Sequence, residues 1–367
     1  MSNTPFLPRP EVMELTTYNS GLTLEDVAAR CGGGLIAKLA SNENAHPPSD
    51  AVMAAMRDAI TRAFLYPDPQ ARQLAAEISA RTGVPPHRIL FGDGSEDLLN
   101  ILARAVLRPR DRVITLYPSF PLHEEYALMM GAEVTRIGLT PDRRIDLPAL
   151  LDAAAHPARL ILIANPMNPA GLWLTGDALA ELLAAQHPDT LLCIDEAYTE
   201  YALGCDYKAA DSALARHEKP LLLLRTFSKA HGLAGLRIGY GLSNCDGLVQ
   251  AMNLVRTPFN VDAVAQAAAL AALRHPEAME KAVAVTIAER ARMDRELTRR
   301  GYAVLPSKGN FLFFEATRPS VELAEALLDQ GVIVKPWKQA GYENWLRVSV
   351  GTAADNAHFL TALAASL

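Results

Sequence analysis

Four short apolar runs constrain this chain most: Arg112 to Tyr117, Leu160 to Ala164, Leu191 to Ile194 and Leu221 to Leu224. None shows polar alternation, so each reads as buried on both faces, the signature of a strand inside a parallel sheet. Each is also too short for most helices. Helical patterns lie between them, at Pro121 to Met130 and Gly176 to Gln186. Strand, helix, strand in this order predicts an α/β fold: a mainly parallel sheet flanked by helices. Such a sheet binds its ligand beyond the carboxyl ends of its strands. The polar residues Asn168, Asp195 and Lys229 fall at or just past those ends.

From about Asp262 the texture changes. An alanine-rich helical stretch runs towards Arg300, followed by short strands (Phe311 to Phe314, Val332 to Val334, Leu346 to Val350) and helices (Val321 to Asp329, Ala354 to Ala365). The 367 residues suffice for two domains. The expected division is a large ligand-binding domain over 46–261 and a smaller α+β domain over 262–367. Residues 1–45 pack on the small domain or reach across a subunit interface. A net charge of −6 without a lysine–arginine block argues against nucleic acid or an anionic membrane surface as partner. No apolar run approaches the roughly 20 residues of a membrane span, and the N-terminus lacks a signal pattern. The four cysteines form no Cys-x-x-Cys pair and stand at no metal-ligand spacing with histidines, so buried thiols in a reducing cytoplasm, with no metal, are expected.

Lys229 carries the chemistry. It ends the apolar run Leu221 to Leu224 in Arg225-Thr226-Phe227-Ser228-Lys229-Ala230, with Asp195 upstream and Arg237 downstream. Pyridoxal phosphate (PLP) requires this set. A lysine amine forms a Schiff base with its aldehyde, an acid keeps the pyridinium nitrogen protonated, and an arginine takes its phosphate. Thr226, Ser228 and Arg237 add two hydroxyls and a guanidinium suited to a phosphate dianion. Asp195 is expensive to bury without a cationic partner, and a protonated pyridine is one. Tyr198, three residues on, reaches the ring hydroxyl.

Other motifs agree. Phe91-Gly92-Asp93-Gly94-Ser95-Glu96-Asp97 precedes an apolar-periodic stretch, Leu98 to Leu107. A glycine-rich turn into a helix offers backbone N–H groups to a phosphate. A dinucleotide fingerprint fails there, because Asp97 occupies the third glycine position. Asn165-Pro166-Met167-Asn168-Pro169-Ala170-Gly171 is a double Asn-Pro turn that holds Asn168 in one orientation. Phe120 is placed to stack on a ring. Arg347, inside Trp345-Leu346-Arg347-Val348-Ser349-Val350, lies among apolar neighbours and wants a carboxylate.

These stretches together resemble the fold-type I PLP-dependent aminotransferases, and among them the histidinol-phosphate aminotransferase group. The matching motifs are Lys38-Leu39-Ala40-Ser41-Asn42-Glu43-Asn44, Tyr66-Pro67-Asp68, Gly94-Ser95-Glu96, Asn168-Pro169-Ala170-Gly171, Asp195-Glu196-Ala197-Tyr198, Arg225 to Ala230 and Leu346-Arg347-Val348. They run in the group's order over nearly the whole chain. The resemblance implies that Lys229 is the Schiff-base lysine and proton carrier, that Asp195 pairs with the pyridine nitrogen, and that Asn168 and Tyr198 hold the ring hydroxyl. It places Phe120 on the ring, and the amides of Ser95 and Glu96 with Thr226, Ser228 and Arg237 on the phosphate. Tyr66 matches a tyrosine that reaches the neighbouring subunit's cofactor, which implies a homodimer with shared sites. Tyr18, Asn42, Lys335 and Arg347 fall on the substrate side, Arg347 matching an α-carboxylate binder.

The chain departs from the group at Ala45-His46-Pro47-Pro48, at Met167 where asparagine is common, and at Lys335 where an arginine often meets the substrate phosphate. The expected activity is transamination between histidinol phosphate and 2-oxoglutarate in two half-reactions. An aromatic amino-acid donor is the alternative, and a phospho-amino-acid decarboxylase on the same scaffold is another. The first passes an amino group from donor to keto acid; the last releases the donor's carboxylate.

Overall fold

The structure is a computed structural model that describes residues 8–13, 15, 22, 27, 35–202, 204 and 206–366. A short strand, β1 (Ala37–Lys38), precedes a seven-stranded sheet. In chain order that sheet contains β2 (Ile89–Asp93), β3 (Arg112–Leu116), β4 (Glu133–Ile137), β5 (Leu160–Ala164), β6 (Leu191–Asp195), β7 (Leu221–Thr226) and β8 (Ile238–Ser243). Their spatial order is β2-β8-β7-β6-β5-β3-β4. All neighbours are parallel except the two pairings of β8. The sheet is the mainly parallel α/β sheet expected.

Its interior shows why the apolar runs lack alternation. Leu221 and Leu223 belong to the core on one face, Leu222 and Leu224 to the core on the other. Leu160 and Leu162 oppose Ile161 and Ile163 in the same way. Successive side chains of a strand point to opposite faces, so a strand covered on both sides needs apolar residues throughout. Helices supply the cover. Gly94–Val106 buries Leu98, Leu99, Ile101 and Leu102, and Gly176–Ala185, capped by the Thr175 hydroxyl, buries Leu179 and Leu182.

The C-terminal part builds a second sheet in the order β12-β13-β10-β9, from β9 (Ala303–Leu305), β10 (Phe311–Glu315), β12 (Lys335–Pro336) and β13 (Trp345–Ser349). Between β10 and β12 runs β11 (Val332–Ile333), which pairs in parallel with β1. Residues 35–45 are thereby tied to the C-terminal part. Helices Glu277–Arg299, Ser320–Leu328 and Ala353–Ala365 complete this core with Leu297, Leu323, Leu327 and Phe359.

The alanine-rich stretch is two helices, Ala263–Arg274 and Glu277–Arg299, separated by His275 and Pro276. Proline cannot donate to the helix ladder and disfavours helical geometry in the residue before it, so the first helix stops there. That first helix, capped by Asp262, packs Ala265, Ala268, Ala269 and Leu273 into the large-sheet core. The second helix packs Val283 with Tyr198 and Tyr201 and, further along, Met293 and Leu297 into the C-terminal core, so it spans both parts. Among the described residues, no helix is long and apolar enough to cross a membrane.

Candidate active site

The carboxyl ends of β3, β5, β6 and β7 meet the turn after β2 around one cavity of about 830 Å³. Ser95, Glu96, Phe120, Asn168, Asp195, Tyr198, Thr226, Ser228, Lys229 and Arg237 line it, as do Asn42, Lys335 and Arg347 from the other sheet's side. Thirteen residues expected at the site thus converge there. Tyr66 does not line it. That ring is 83% exposed and stacks on Phe259, with centroids 4.6 Å apart. Tyr18 lies outside the described residues.

Each side chain is held by identifiable neighbours. Asp195, the last residue of β6, is 7% exposed. Its Oδ1 accepts the Ala197 N–H at 3.0 Å, and its Oδ2 lies 3.1 Å from His123 Nε2. Tyr198 receives hydrogen bonds at its hydroxyl oxygen from Asn42 Nδ2 (2.9 Å) and Asn168 Nδ2 (3.4 Å). Arg347 Nη1 donates to Asn168 Oδ1 at 2.7 Å, and Arg347 Nη2 donates to the Ala40 carbonyl. One chain of contacts therefore runs Arg347–Asn168–Tyr198–Asn42 and joins both sheets. Ser349 Oγ closes it on Asn42 Oδ1 at 2.9 Å.

Lys229 Nζ donates to the Ser41 carbonyl at 2.9 Å. Burial lowers its pKa to about 8, helped by the Arg347 and Arg237 charges and opposed by Glu43 and Asp195. A buried amine near neutrality near physiological pH is a ready nucleophile and proton carrier.

The opposite end of the cavity is built for an anion. The helix Gly94–Val106 begins there, with first-turn N–H groups that have no intrahelical acceptor. Gly94 adopts φ +78°, and a Cβ on it would lie 2.6 Å from Arg237 Nη2. Glycine here lets the guanidinium approach the helix start. Gly239 does the same for the backbone, since a Cβ there would meet Ser95 N at 2.4 Å. Ser228 Oγ is buried and makes no hydrogen bond among the described residues. A buried hydroxyl without a partner, an open helix end and a guanidinium fit a phosphate monoester. The nearby amine and Asp195 fit the aldehyde and the ring nitrogen of the same molecule. PLP fits this donor set.

Some contributors were missed in the sequence. His123 lies in Pro121–Met129 one turn from Phe120 and packs edge-to-face on it, centroids 5.5 Å apart. The only signal was its helical spacing from Phe120. Trp337 and Asn310, the latter donating to the Asn42 carbonyl at 3.0 Å, had no local signal. Among the described residues no cluster of His, Cys, Asp and Glu is arranged to hold a metal ion.

The family profile described as aminotransferase class I and II matches residues 36–363. The chain belongs to that family and is a PLP-dependent aminotransferase. It is 48% identical to histidinol-phosphate aminotransferase 3 of Rhizobium meliloti (strain 1021), over 97% of this chain and 96% of that one. It is equally 48% identical to histidinol-phosphate aminotransferase 1 of Mesorhizobium japonicum, over 99% of each. Among solved structures, the histidinol-phosphate aminotransferase from Sinorhizobium meliloti in complex with pyridoxal-5'-phosphate superposes with a TM-score of 0.89 at 28% identity, covering 99% of this chain and 98% of that one.

Proposed function

We propose that this aminotransferase takes its amino group from histidinol phosphate and delivers it to 2-oxoglutarate, in two half-reactions on one cofactor. The observation that carries this reading is a cross-strand pair. Lys335 and Arg347 are register partners on antiparallel β12 and β13, and both line the cavity. Directly opposed residues project from the same face of a sheet. Two cations side by side call for an anion, and a donor with a distal phosphate supplies a dianion. Burial and the Arg347 charge lower the Lys335 pKa to about 8, and an approaching phosphate, by adding negative charge, holds the ammonium proton more firmly.

PLP, when bound, supplies an electron sink for negative charge at the donor's α-carbon. The chain's own residues do the rest. Asp195 would hold the proton on the ring nitrogen, and His123 fixes the carboxylate that would do so. Asn168 and Tyr198 would hold the ring hydroxyl, and Phe120 would supply the stacking surface for the ring. Ser95 and Glu96 amides, Thr226, Ser228 and Arg237 take the cofactor phosphate. With PLP bound, Lys229 would be the group that carries the proton at the donor's α-carbon. Arg347 takes the carboxylate of the keto acid, and Lys335 and Arg347 share the phosphate of the donor, which has no α-carboxylate.

A homodimer with shared sites belongs to the same reading. Tyr66 is exposed, as are its sequence neighbours Ile60, Phe64 and Leu65, which suits an interface across which Tyr66 would reach the partner's cofactor phosphate. A cytoplasmic location, as expected from the cysteine usage, belongs to the same reading. The test is a donor comparison with 2-oxoglutarate. Histidinol phosphate should be converted with kcat/KM far above that of phenylalanine, and without release of carbon dioxide from any donor. Phenylalanine preferred would select the aromatic reading, and carbon dioxide from a phospho-amino acid would select the lyase.

A further inference from the structure

We propose that Asn260 is a positioning residue for the cofactor phosphate: it never touches the phosphate but locks the turn that binds it. The inference rests on the PLP reading above. The turn in question joins β2 to the helix Gly94–Val106. Asp93, the last residue of β2 and the N-cap of that helix, is held at both backbone ends. The Asp93 N–H donates to Asp97 Oδ2 at 3.0 Å, and the Asp93 carbonyl accepts from Arg237 Nη2 at 3.3 Å. Asp97 Oδ2 also accepts from Asn260 Nδ2 at 2.7 Å. The same Nδ2 lies 3.2 Å from the Phe91 carbonyl. One side-chain amide thus bridges the last part of the strand and the first turn of the helix, which presents Ser95 and Glu96.

Asn260 is itself fixed. Arg256 Nη1 donates to Asn260 Oδ1 at 2.9 Å, which settles the direction of the amide and leaves its NH2 for Asp97. Arg256 Nη2 donates to the Pro69 carbonyl at 2.9 Å. The preceding residue, Phe259, has φ +58°, a backbone conformation costly for a residue with a Cβ. The chain accepts it and thereby turns Asn260 inward while the Phe259 ring stacks on Tyr66.

The lock has an electrostatic reason. Asp97 stands in the first turns of a helix whose N-terminus would receive a phosphate dianion. A carboxylate that swings towards that dianion repels it. Asn260 holds the carboxylate on the Asp93 N–H, so that the acid orders the turn without occupying the anion's place. Loss of this hydrogen bond frees both the turn and the charge.

The test uses apo-protein titrated with PLP, read by absorbance and by cofactor loss on dialysis, with thermal unfolding of each apo form alongside. Asn260→Ala should raise the PLP dissociation constant about tenfold, the scale of one hydrogen bond to a charged group. Asn260→Asp should weaken binding further, because like charges then face each other. Combining Asn260→Asp with Asp97→Asn removes the facing like charges, though not the loss of the bridge, and should bring affinity part of the way back, above that of Asn260→Asp alone. The apo unfolding midpoints should coincide. Parent-like affinity in either folded single variant overturns the assignment, as does a double variant no tighter than Asn260→Asp alone. Parallel loss of apo stability makes the pair a general structural tie and overturns it too. Should a single variant not fold, the remaining one and the double decide. A parent that binds no PLP would instead fail the cofactor reading, a distinct outcome.

Discussion

His123 Nε2 lies 3.1 Å from Asp195 Oδ2, and both side chains are buried where β6 ends. The imidazole takes one carboxylate oxygen and the Ala197 N–H takes the other, so the acid has a single orientation. Asp195→Asn removes the anion that keeps the ring nitrogen protonated. It should lower kcat by about 10²–10⁴. His123→Ala leaves the anion but loosens it and should cost about tenfold. Single-turnover rates with histidinol phosphate check both. Near-parental rates in Asp195→Asn would make the acid structural.

Lys229 should titrate early. Its amine is held near pKa 8 by burial and by the Arg347 and Arg237 charges. A lowered pKa means the neutral, nucleophilic form gains as pH rises through about 8, not through the ordinary lysine range near 10.4. The rate at which apo-protein captures PLP should rise with a midpoint near that value. Borohydride should then fix the cofactor on Lys229, found by peptide mapping. A different labelled lysine would remove the assignment, and Lys229→Ala should lose turnover far more than stability.

Tyr66 and Lys229 variants should complement each other. Tyr66 lies away from its own cavity, exposed and stacked on Phe259. Mixed and reassembled, inactive Tyr66→Ala and Lys229→Ala chains form heterodimers in which one site has both residues. Partial recovery of activity supports shared sites. A mixture as inactive as its parts means each chain is self-contained.

Lys335 and Arg347 should separate by substrate. Arg347→Ala should weaken histidinol phosphate, phenylalanine and 2-oxoglutarate alike. Lys335→Ala should raise KM for histidinol phosphate about tenfold or more, as for loss of a charge-assisted contact, and leave phenylalanine unchanged. Equal effects of Lys335→Ala on both donors would place the ammonium elsewhere.

Arg225 and Glu196 form a buried pair beside the site, Nη2 to Oε2 at 2.8 Å, with Arg225 Nη2 also 3.2 Å from Asp211 Oδ2. Arg225→Ala leaves Glu196 buried without its cation. A loss of about 3–5 kcal/mol in denaturant unfolding is expected. A change below about 1 kcal/mol, the worth of a solvated surface pair, would mean that solvent reaches Glu196.

Much of this was legible in the chain alone, for a physical reason. Strands covered on both faces must be apolar at every position, so β5, β6 and β7 announce themselves within a residue or two of their observed ends. Ligands bind where such strands stop, so Asn168, Asp195 and Lys229 could be placed from position and chemistry. Local signals failed where the constraint was not local. The edge strand β4 mixes polar and apolar residues because one side meets solvent, and the helix Ala263–Arg274 joins the large core although its sequence runs on into the next helix. The sequence by itself determined the sheet, its direction and the residues able to serve PLP. Only the tertiary structure decided who orients them: His123 on Asp195, Arg347 on Asn168, Asn260 on Asp97. Those partners are 72, 179 and 163 residues apart. A hydrogen bond depends on ångströms and angles, and folding alone brings such distant groups within reach.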